Sequence, residues 1–364
     1  MSVVRYLLMS LPSREMLSWD LPLEDVEVSY GLSTPTTLRA SISHERPELV
    51  EHLKPYGAAI FSDEGTGELY GGILTDAEAD DHKISLTVAG YSYYPSNQPF
   101  MGDDYNGIQV DPLDIVILIW DHLQSYPSGD LKYEIDSTKS KVRVGTEERE
   151  VEFTTSSGED VSFEAGPRRL NWFTTSDLGK ELDDLFSEAG ASYLERHVWD
   201  GDRMRHMLQI DCPARSVRRD DLRFVIGENV IVPPRLSLPS TSFASHVLVI
   251  GAGEGRKAAH ADVPSVTNRL RRALTIADKS ITSKKAATNT ARTELARRVG
   301  DREEITEITV LEHPNASFRD INPGDIIRVS GDTDWIKLDT QAIVISKTWD
   351  PSRPETGVLE LQTN

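Results

Sequence analysis

The chain has 364 residues, of which 38% are hydrophobic and 27% charged, and its formal net charge is −20. This composition is typical of a globular protein of two or three domains, and so acidic a chain is poorly suited to wrapping nucleic acid, whose phosphates require a basic surface. The longest apolar run, residues 115–120, is far shorter than the roughly 20 residues of a membrane-spanning helix. Cys212 is the only cysteine, which excludes an internal disulfide and fits assembly in a reducing cytoplasm.

Charge is divided unevenly along the chain. Residues 1–165 hold 30 acidic and 11 basic side chains, whereas residues 166–364 hold 29 and 28. Solubility alone explains an acidic surface. A second interpretation is an acidic wall facing something that must not adhere. A third is pairing with the basic segments 203–235 and 256–302 of a neighbouring subunit, which would set orientation more than affinity.

The first hundred residues consist mainly of short alternating runs. Val26, Val28 and Tyr30 lie two residues apart, and residues 63–67 (DEGTG) are a hairpin signal. Six such runs in about ninety residues predict an antiparallel barrel or sandwich in a first domain, residues 1–100. The predicted strands are 3–9, 24–30, 38–42, 57–61, 69–74 and 82–90.

Residues 101–235 mix helical and strand patterns, which predicts an intervening α+β domain. Asp111 and Pro112 predict the start of a helix, because Asp caps free N–H groups and Pro suits the first helical position. The following stretch 115–123 is apolar nearly all round, so this helix is predicted to be buried. Residues 130–165 are polar and only weakly alternating, which indicates an exposed hairpin insertion.

A second helix and a hairpin come next in the same domain. Thr175 or Ser176 is predicted to cap the helix, whose apolar residues follow a 3.6-residue period up to the terminating Gly190. Residues 200–202 (DGD) then predict a tight turn between the strands 193–199 and 204–210.

The last segment, residues 236–364, is predicted to form a second β-barrel that carries a helix over residues 280–299. The helix is indicated by small apolar residues at i, i+4 spacing. Residues 304–311, 326–329 and 341–348 alternate like strands, and Asn322-Pro-Gly-Asp325 is a turn. Three short strands separated by turns are typical of a meander in a small antiparallel barrel. No reactive side chain is concentrated in residues 303–349, which favours a protein that works by forming a surface.

Two motifs are candidates for chemical sites. The sequence GAGEG at 251–255 comes after a strand and resembles a dinucleotide fingerprint, but Arg256 stands where the third glycine belongs and Pro264 interrupts the segment in which a helix would be needed. A strand-ending turn is the better interpretation. His197, His206 and Glu195 are predicted to face one another across the hairpin, either as a metal site or as a half-exposed cross-strand pair, and the second interpretation is favoured.

Neighbouring carboxylates occur at 80–81, 183–184 and 220–221. Adjacent residues point to different sides of a helix or strand, whereas a glycosidase needs two carboxylates that share a cleft. No GxSxG motif is present, and Cys212 has no obvious base. We therefore predict no enzyme activity, no cofactor, and no catalytic, cofactor-binding or metal-binding residue.

The order and spacing of several segments resemble minor tail proteins of long-tailed phages that infect actinobacteria. The resemblance covers most of the chain and is weakest at 130–165. Its segments are PRRLNW at 167–172, TSDLG at 175–179, YLERH at 193–197, WDGD at 199–202, DLRFVIGENV at 221–230, GAGEGRK at 251–257, RLRR at 269–272 and NPGD at 322–325.

This resemblance implies the tail or baseplate hub, a structural virion protein. Such hubs are trimers, and each protomer carries two tube-like β-barrels, so that three copies adapt the six-fold tail tube to a three-fold tip. The implied fold class is a β-rich α+β multidomain chain with two small antiparallel tube-like barrels around an α+β region. The implied partners are distal tail or tail-tube proteins, the tape measure protein, and tip fibre or spike proteins, with DNA only in transit. The implied location is the distal tail tip of the virion, after assembly in the host cytoplasm.

The hub interpretation gives the acidic half a role, because carboxylates lining a tube would repel DNA phosphates. The hypothesis concerns the acidic residues of the segment 20–81. Two alternatives from other classes remain open. A carbohydrate-binding baseplate protein would need an exposed aromatic platform, and a peptidoglycan hydrolase would need a catalytic pair. The platform candidates are Tyr91, Tyr93, Tyr94, Phe100 and Tyr105.

Overall fold

A computed structural model gives the fold of the chain, and strands dominate the part that it describes. That part comprises residues 4–80, 82–154, 160–232, 236–237, 243–253, 258–278, 281, 283–299, 304–333 and 337–363. The strands are β1 (Arg5–Ser10), β2 (Met16–Ser18), β3 (Glu24–Gly31), β4 (Thr34–Ser43), β5 (Ala58–Asp63), β6 (Glu68–Ala79), β7 (Lys83–Ala89), β8 (Tyr105–Gly107), β9 (Tyr133–Ile135), β10 (Arg149–Thr154), β11 (Asp160–Ala165), β12 (Arg168–Leu170), β13 (Ser192–Asp200), β14 (Arg203–Asp211), β15 (Val217–Val225), β16 (Val230–Val232), β17 (Leu236–Ser237), β18 (His246–Ile250), β19 (His260–Pro264), β20 (Ala273–Ala277), β21 (Glu304–Ile305), β22 (Glu307–Leu311), β23 (Asp325–Asp332), β24 (Lys337–Trp349) and β25 (Thr356–Thr363). The α-helices are α1 (Pro47–Val50), α2 (Pro112–Gln124), α3 (Leu178–Ala189) and α4 (Lys284–Arg298), and short 3₁₀ helices lie at Tyr91–Tyr93 and Phe318–Asp320.

The chain separates into two compact units, and both are discontinuous in sequence. The first unit is drawn from residues 1–147, 166–234 and 307–364, so it contains both ends of the chain. The second is drawn from residues 148–165 and 235–306. This division differs from the three consecutive segments, 1–100, 101–235 and 236–364, that the sequence predicts.

A single sheet of sixteen strands forms the frame of the first unit. Its main path runs β16-β22-β25-β24-β3-β4-β7-β6-β13-β14-β9, and β1, β2, β5, β15 and β23 branch from it. The amino-terminal strands join the carboxyl-terminal strands where β3 pairs antiparallel with β24. Among the described strands no path of pairings returns to its start, so the pairings form no closed barrel. The expectation of two separate closed barrels is not met, because the 13-residue β24 pairs with β23, β25 and β3 along its length.

Two helices contribute a large part of one hydrophobic core in the first unit. Helix α2 is capped by Asp111, which accepts a hydrogen bond from the Leu113 amide at 3.0 Å, as predicted. Seven of its residues, including Trp120, are buried. Since each large apolar side chain contributes about 1.5–3 kcal/mol on burial, this helix is held by packing, with propensity secondary.

Helix α3 packs beside α2 and buries the predicted apolar stripe, including Leu178, Leu185 and Phe186. Its amino-terminal cap is Asp177, which accepts from the amides of residues 179 and 180. The prediction of Thr175 or Ser176 as cap was therefore wrong by one or two residues. The helix ends as predicted at Gly190, whose φ of 61° is the left-handed conformation that glycine adopts without strain.

Both predicted tight hairpins of the first unit are present. Strands β5 and β6 pair across the turn at 64–67, and β13 and β14 pair from Ser192↔Asp211 to Asp200↔Arg203 across Gly201. Gly201 has φ of 65°, which explains why glycine stands at that turn.

The second unit has a small core of its own. Strand β18 lies between the antiparallel β19 and the parallel β20, and α4 packs on β18 and β19. Helix α4 begins at the capping Ser283 and buries Ala287, Ala291 and Leu295 as predicted. The second predicted barrel is corrected here. The predicted strand 304–311 divides into β21 in the second unit and β22 in the first, where β22 pairs with β25.

Candidate functional site

An acidic sheet surface lies on strands β3, β4, β7 and β6. Val28, Leu38 and Val88 point into the core, and the alternate residues face outward, because successive side chains of a strand point to opposite faces. One outward row joins Glu27, Arg39, Thr87 and Asp76 across the four strands. We call this the acidic face, and its charged residues are Glu24, Asp25, Glu27, Arg39, Asp76, Glu78 and Lys83.

The two basic residues of the acidic face are already paired. Lys83 Nζ lies 2.7 Å from Glu24 and 3.1 Å from Asp25, and hydrogen bonding to Lys83 lowers the pKa of the Asp25 carboxyl. Arg39 lies 3.9 Å from Glu27. Exposed pairs of this kind add little stability. Asp76 and Glu78, within the described part of the chain, have no ion-pair partner, so the acidic face keeps a net negative charge that repels polyanions.

A caged lysine lies near the place where β24 meets β3. Lys347 is only 3% exposed, and its ammonium lies 5.2 Å from the ring centroid of Trp349, 5.7 Å from Phe318 and 5.9 Å from Tyr70. Burial lowers the pKa of Lys347 to about 8, against the opposing fields of Glu68 and Glu64. We call Lys347 and these three aromatic residues the lysine cage, and they are stabilised by cation–π attraction.

The lysine cage is tied to the amino-terminal strands by Glu64. The indole Nε1–H of Trp349 donates a 2.8 Å hydrogen bond to the buried Glu64 carboxylate. Burial raises the pKa of Glu64, and the Trp349 hydrogen bond opposes that shift. Glu64 therefore connects the β5–β6 hairpin to the last strands of the chain.

The predicted histidine pair exists, but it is buried and not half-exposed. His197 and His206 are paired residues of β13 and β14, and their Nδ1 atoms are 2.8 Å apart. One ring must donate and the other accept, so the pair cannot carry a proton on both Nδ1 atoms. Burial first, and then the charges of His197 and Arg14, lower the pKa of His206 to about 2.

Glu195 completes this buried group without forming a metal site. Its carboxylate accepts hydrogen bonds from the amides of Thr36 at 3.1 Å and Ser92 at 3.0 Å. Nε2 of His197 lies 3.4 Å from Glu195 but is not aligned for a hydrogen bond. Across the described residues, no group of three or more His, Cys, Asp or Glu side chains is arranged to hold a metal ion. Glu195 thus serves the backbone of neighbouring segments.

The turn at 322–325 fixes the start of β23 through a buried carboxylate. Asp325 is 1% exposed and accepts hydrogen bonds from the Asn322 amide and from Arg219, both at 3.0 Å. Arg215 lies 3.6 Å from the same carboxylate. Gly324, with φ of 87°, occupies the position that needs glycine. Part of the basic segment 203–235 is therefore used within the chain itself.

The predicted aromatic platform is not exposed. Tyr91 and Phe100 are buried, and Tyr93, Tyr94 and Tyr105 are half-buried, because they pack around α2 and α3. The five candidate residues therefore do not form the exposed platform that the carbohydrate-binding alternative requires.

Another aromatic pair is exposed instead. Trp172 and Phe173 are 65% and 62% exposed, with ring centroids 5.5 Å apart. Sequence reasoning passed over them, although two adjacent aromatic residues in a polar loop were the available signal.

The described residues of the remaining carboxylate and cysteine candidates do not come together as a catalytic site. Asp220 and Asp221 each pair with a neighbouring arginine, at 2.8 Å to Arg218 and Arg219. Residues 81 and 254–257, which belong to the carboxylate and glycine motifs, lie outside the described residues. Sγ of Cys212 lies 3.7 Å from the Ala189 carbonyl. No described helix is long and apolar enough to span a membrane.

The matches to known proteins come from comparing the structure with solved structures. No family model and no curated protein matches the sequence. The structure is similar to the 43 kDa tail protein of prophage MuSo2 from Shewanella oneidensis, with a TM-score of 0.55, 14% identity, and coverage of 99% of this chain and 98% of that one.

Two further solved structures are similar over nearly their whole length. Prophage tail protein gp18 from Listeria monocytogenes EGD-e has a TM-score of 0.53 and 10% identity, covering 99% of this chain and 94% of that one. The tail protein from Neisseria meningitidis MC58 has a TM-score of 0.51 and 12% identity, covering 99% and 97%. The chain therefore has the fold of these phage tail proteins.

Proposed function

We propose that the chain is a structural virion protein, a trimeric tail hub that closes the distal end of the tail tube and adapts its six-fold symmetry to a three-fold tip. The observation that carries the proposal is the likeness in fold to three prophage tail proteins over 99% of the chain. The sequence resemblance to minor tail proteins of actinobacterial phages adds the hub role. On this proposal the chain acts without catalysis.

The sheet topology supports a role in assembly. The first unit draws strands from both chain ends into one open sheet, and open strand edges are surfaces that a neighbouring subunit can extend. The exposed ring pair at Trp172 and Phe173 offers a further contact of the kind enriched at interfaces. On this proposal, three copies joined through such surfaces form the ring that closes the tube.

The acidic face supports the proposed channel lining. Its outward carboxylates exceed its basic residues, which are already paired. Facing a channel, these charges would keep DNA from adhering during genome ejection, over a screening distance of about 8 Å at physiological salt. The proposed partners are distal tail or tail-tube proteins, the tape measure protein, and tip fibre or spike proteins at the distal tip.

The test of the proposal is the mass of the purified chain in solution, followed by its position in the particle. One chain has a mass of 40.6 kDa, so light scattering should give a species three times as heavy. Electron cryo-microscopy of tails should then place three copies at the distal end of the tube. Zymography on peptidoglycan should show no clearing.

Three results would contradict the proposal. A purified chain that stays monomeric, both alone and with tail-tube and tip proteins, would contradict the proposed trimer. Density for the chain along the whole tube would make it a tube subunit. Clearing in the zymogram that a carboxylate substitution abolishes would make it a hydrolase.

A further inference from the structure

A cavity of about 220 Å³ lies in the first unit between the start of β4, the 3₁₀ turn at 91–93 and the helices α2 and α3. Its walls include four aromatic side chains, those of Tyr93, Trp120, Phe186 and Tyr193. Asp183 is the single charged residue among the described residues that line it. We call this the aromatic cavity.

Two polar groups of the aromatic cavity lack partners. Trp120 is fully buried, and its Nε1–H has no hydrogen-bond acceptor within the described part of the chain. A buried donor without an acceptor is unfavourable, so an acceptor that enters the cavity and reaches Trp120 would stabilise this group. Asp183 is solvent-exposed at the cavity wall, and no described basic residue forms an ion pair with it. Partial burial, and then the charges of Asp184 and Asp177, raise the pKa of the Asp183 carboxyl, which a bound cation would reverse.

We propose that the aromatic cavity receives one arginine side chain presented by a partner protein. The aromatic walls offer ring faces on which a planar guanidinium stacks, and Asp183 supplies the opposite charge. A carbonyl of the arriving chain would accept from the Trp120 Nε1–H. That the partner is a neighbouring tail subunit rests on the proposed function, but the preference for arginine does not.

Size and charge narrow the occupant. Small-molecule sites usually measure about 300–1,000 Å³, so a cavity of about 220 Å³ is better suited to one long side chain than to a cofactor. No basic residue in the described part of the chain lines the cavity, which disfavours an anionic ligand. Arginine is favoured over lysine because guanidinium is less strongly hydrated and stacks on aromatic rings.

The test uses the purified full-length chain with its tryptophan indoles labelled with ¹⁵N, and the Trp120 signal assigned by W120F or by sequential assignment. N-acetyl-arginine amide is titrated while the indole N–H resonance of Trp120 is followed by NMR. We expect a saturable shift of that resonance. D183N should weaken the apparent affinity at least tenfold, whereas D184N, which removes a charge just outside the cavity wall, should leave it within about twofold.

N-acetyl-lysine amide and N-acetyl-norleucine amide serve as matched probes. Equal affinity for the lysine probe would overturn the arginine assignment, and equal affinity for the norleucine probe would reduce the site to an apolar cavity. If the Trp120 resonance did not move, or if D183N bound the arginine probe equally well, the proposal would be wrong. The cavity would then hold only water. Light scattering on the same samples reports the trimer separately, so failure here and failure of the proposed function are distinguishable.

Discussion

The buried histidines of β13 and β14 form a polar contact at the centre of an apolar core. His206 packs against Phe61 and Tyr91, with ring centroids 5.4 and 4.7 Å away. Because the low pKa of His206 follows first from burial, the folded state strongly disfavours its charged form. The pair therefore couples the stability of the fold to pH.

Acidification is predicted to destabilise the chain through His206. The folded pKa of about 2 lies below the ordinary value of 6.5, so the unfolded state binds a proton that the folded state does not as pH falls below 6.5. The free energy of unfolding should fall by up to about 1.4 kcal/mol per pH unit from this residue. We measure the free energy of unfolding by urea at pH 6 and at pH 5. Between these two values it should fall less in H206Q than in the native chain, by up to about 1.4 kcal/mol.

The comparison at pH 8 is the control for this experiment, since His206 is neutral there in both the folded and the unfolded state. An H206Q slope equal to that of the native chain between pH 6 and pH 5 would show that His206 is protonated in the folded state.

The lysine cage lends itself to a second residue-scale prediction. The folded pKa of Lys347, about 8, is below its ordinary 10.5, so at pH 7 the buried ammonium opposes folding. K347M keeps an unbranched side chain that is only one heavy atom shorter, and it removes the charge. We expect K347M to raise the urea midpoint at pH 7, by a free energy on the order of 1–3 kcal/mol.

K347A is the matched control, because it removes the charge and also the packing. A cavity beside Trp349 and Phe318 should lower the urea midpoint of K347A below that of the native chain. If K347M were destabilised as much as K347A, the cation–π contacts would outweigh the cost of burying the ammonium, and the prediction would be wrong.

At the scale of elements, the amino-terminal end of α3 shows how one side chain joins two segments. The Asp177 carboxylate accepts from the amides of Gly179 at 3.0 Å and Lys180 at 3.3 Å, and also from the Asn97 amide at 3.0 Å. The helix is therefore fixed to the loop that comes after the 3₁₀ turn at 91–93.

D177A is predicted to destabilise the chain by about 1 kcal/mol or more, because capping substitutions cost roughly that amount and the Asn97 amide also loses its acceptor. S176A should change the melting temperature little, since Ser176 is exposed and forms no cap. Differential scanning calorimetry separates the two. If S176A lowered the melting temperature more than D177A, Ser176 would be the cap, as the sequence predicted.

Strand β24 shows that alternation within a strand does not always predict which residues are buried. Its alternation buries Ala342 and Val344, and a register shift between Val344 and Ser346 then turns Lys347 and Trp349 inward. Strict alternation would have kept Ser346 on the buried face. A β-bulge adds one residue to a strand, and nothing in the local sequence marks its position.

At the scale of the whole molecule, the acidic face is the feature that bears most directly on the proposed function. Its carboxylates come from β3 and β6, which the pairing through β4 and β7 brings onto one surface. Neutralising this surface tests the channel lining without touching the core, since Glu27, Asp76 and Glu78 are exposed.

A triple variant, E27Q/D76N/E78Q, is predicted to fold and assemble like the native chain and to slow DNA release from the particle. The physical reason is the loss of repulsion between the lining and the DNA phosphates. DNA release is measured by dye fluorescence after ejection is triggered. The matched control D103N/D104N/E147Q removes three exposed carboxylates elsewhere. Equal release rates in both variants would place the acidic face away from the channel.

The sequence by itself determined those features that depend on interactions between residues close together in the chain. The cap at Asp111, the turns at Gly190 and Gly201, and the stripe of α4 were all predicted, because each depends on residues close in the chain. The facing of His197 and His206 was also predicted, since a tight hairpin fixes its own register. The strand-rich fold class follows from the same alternation.

Only the tertiary structure decided which distant strands pair and which side chains are enclosed. The pairing of β3 with β24 joins residues more than three hundred positions apart, and alternation specifies faces but not partners. The burial of Lys347, the orphaned indole of Trp120 and the enclosure of Tyr91 all follow from packing between such segments. Periodicity reports whether a face is apolar, whereas the partner that covers it is set by the whole chain.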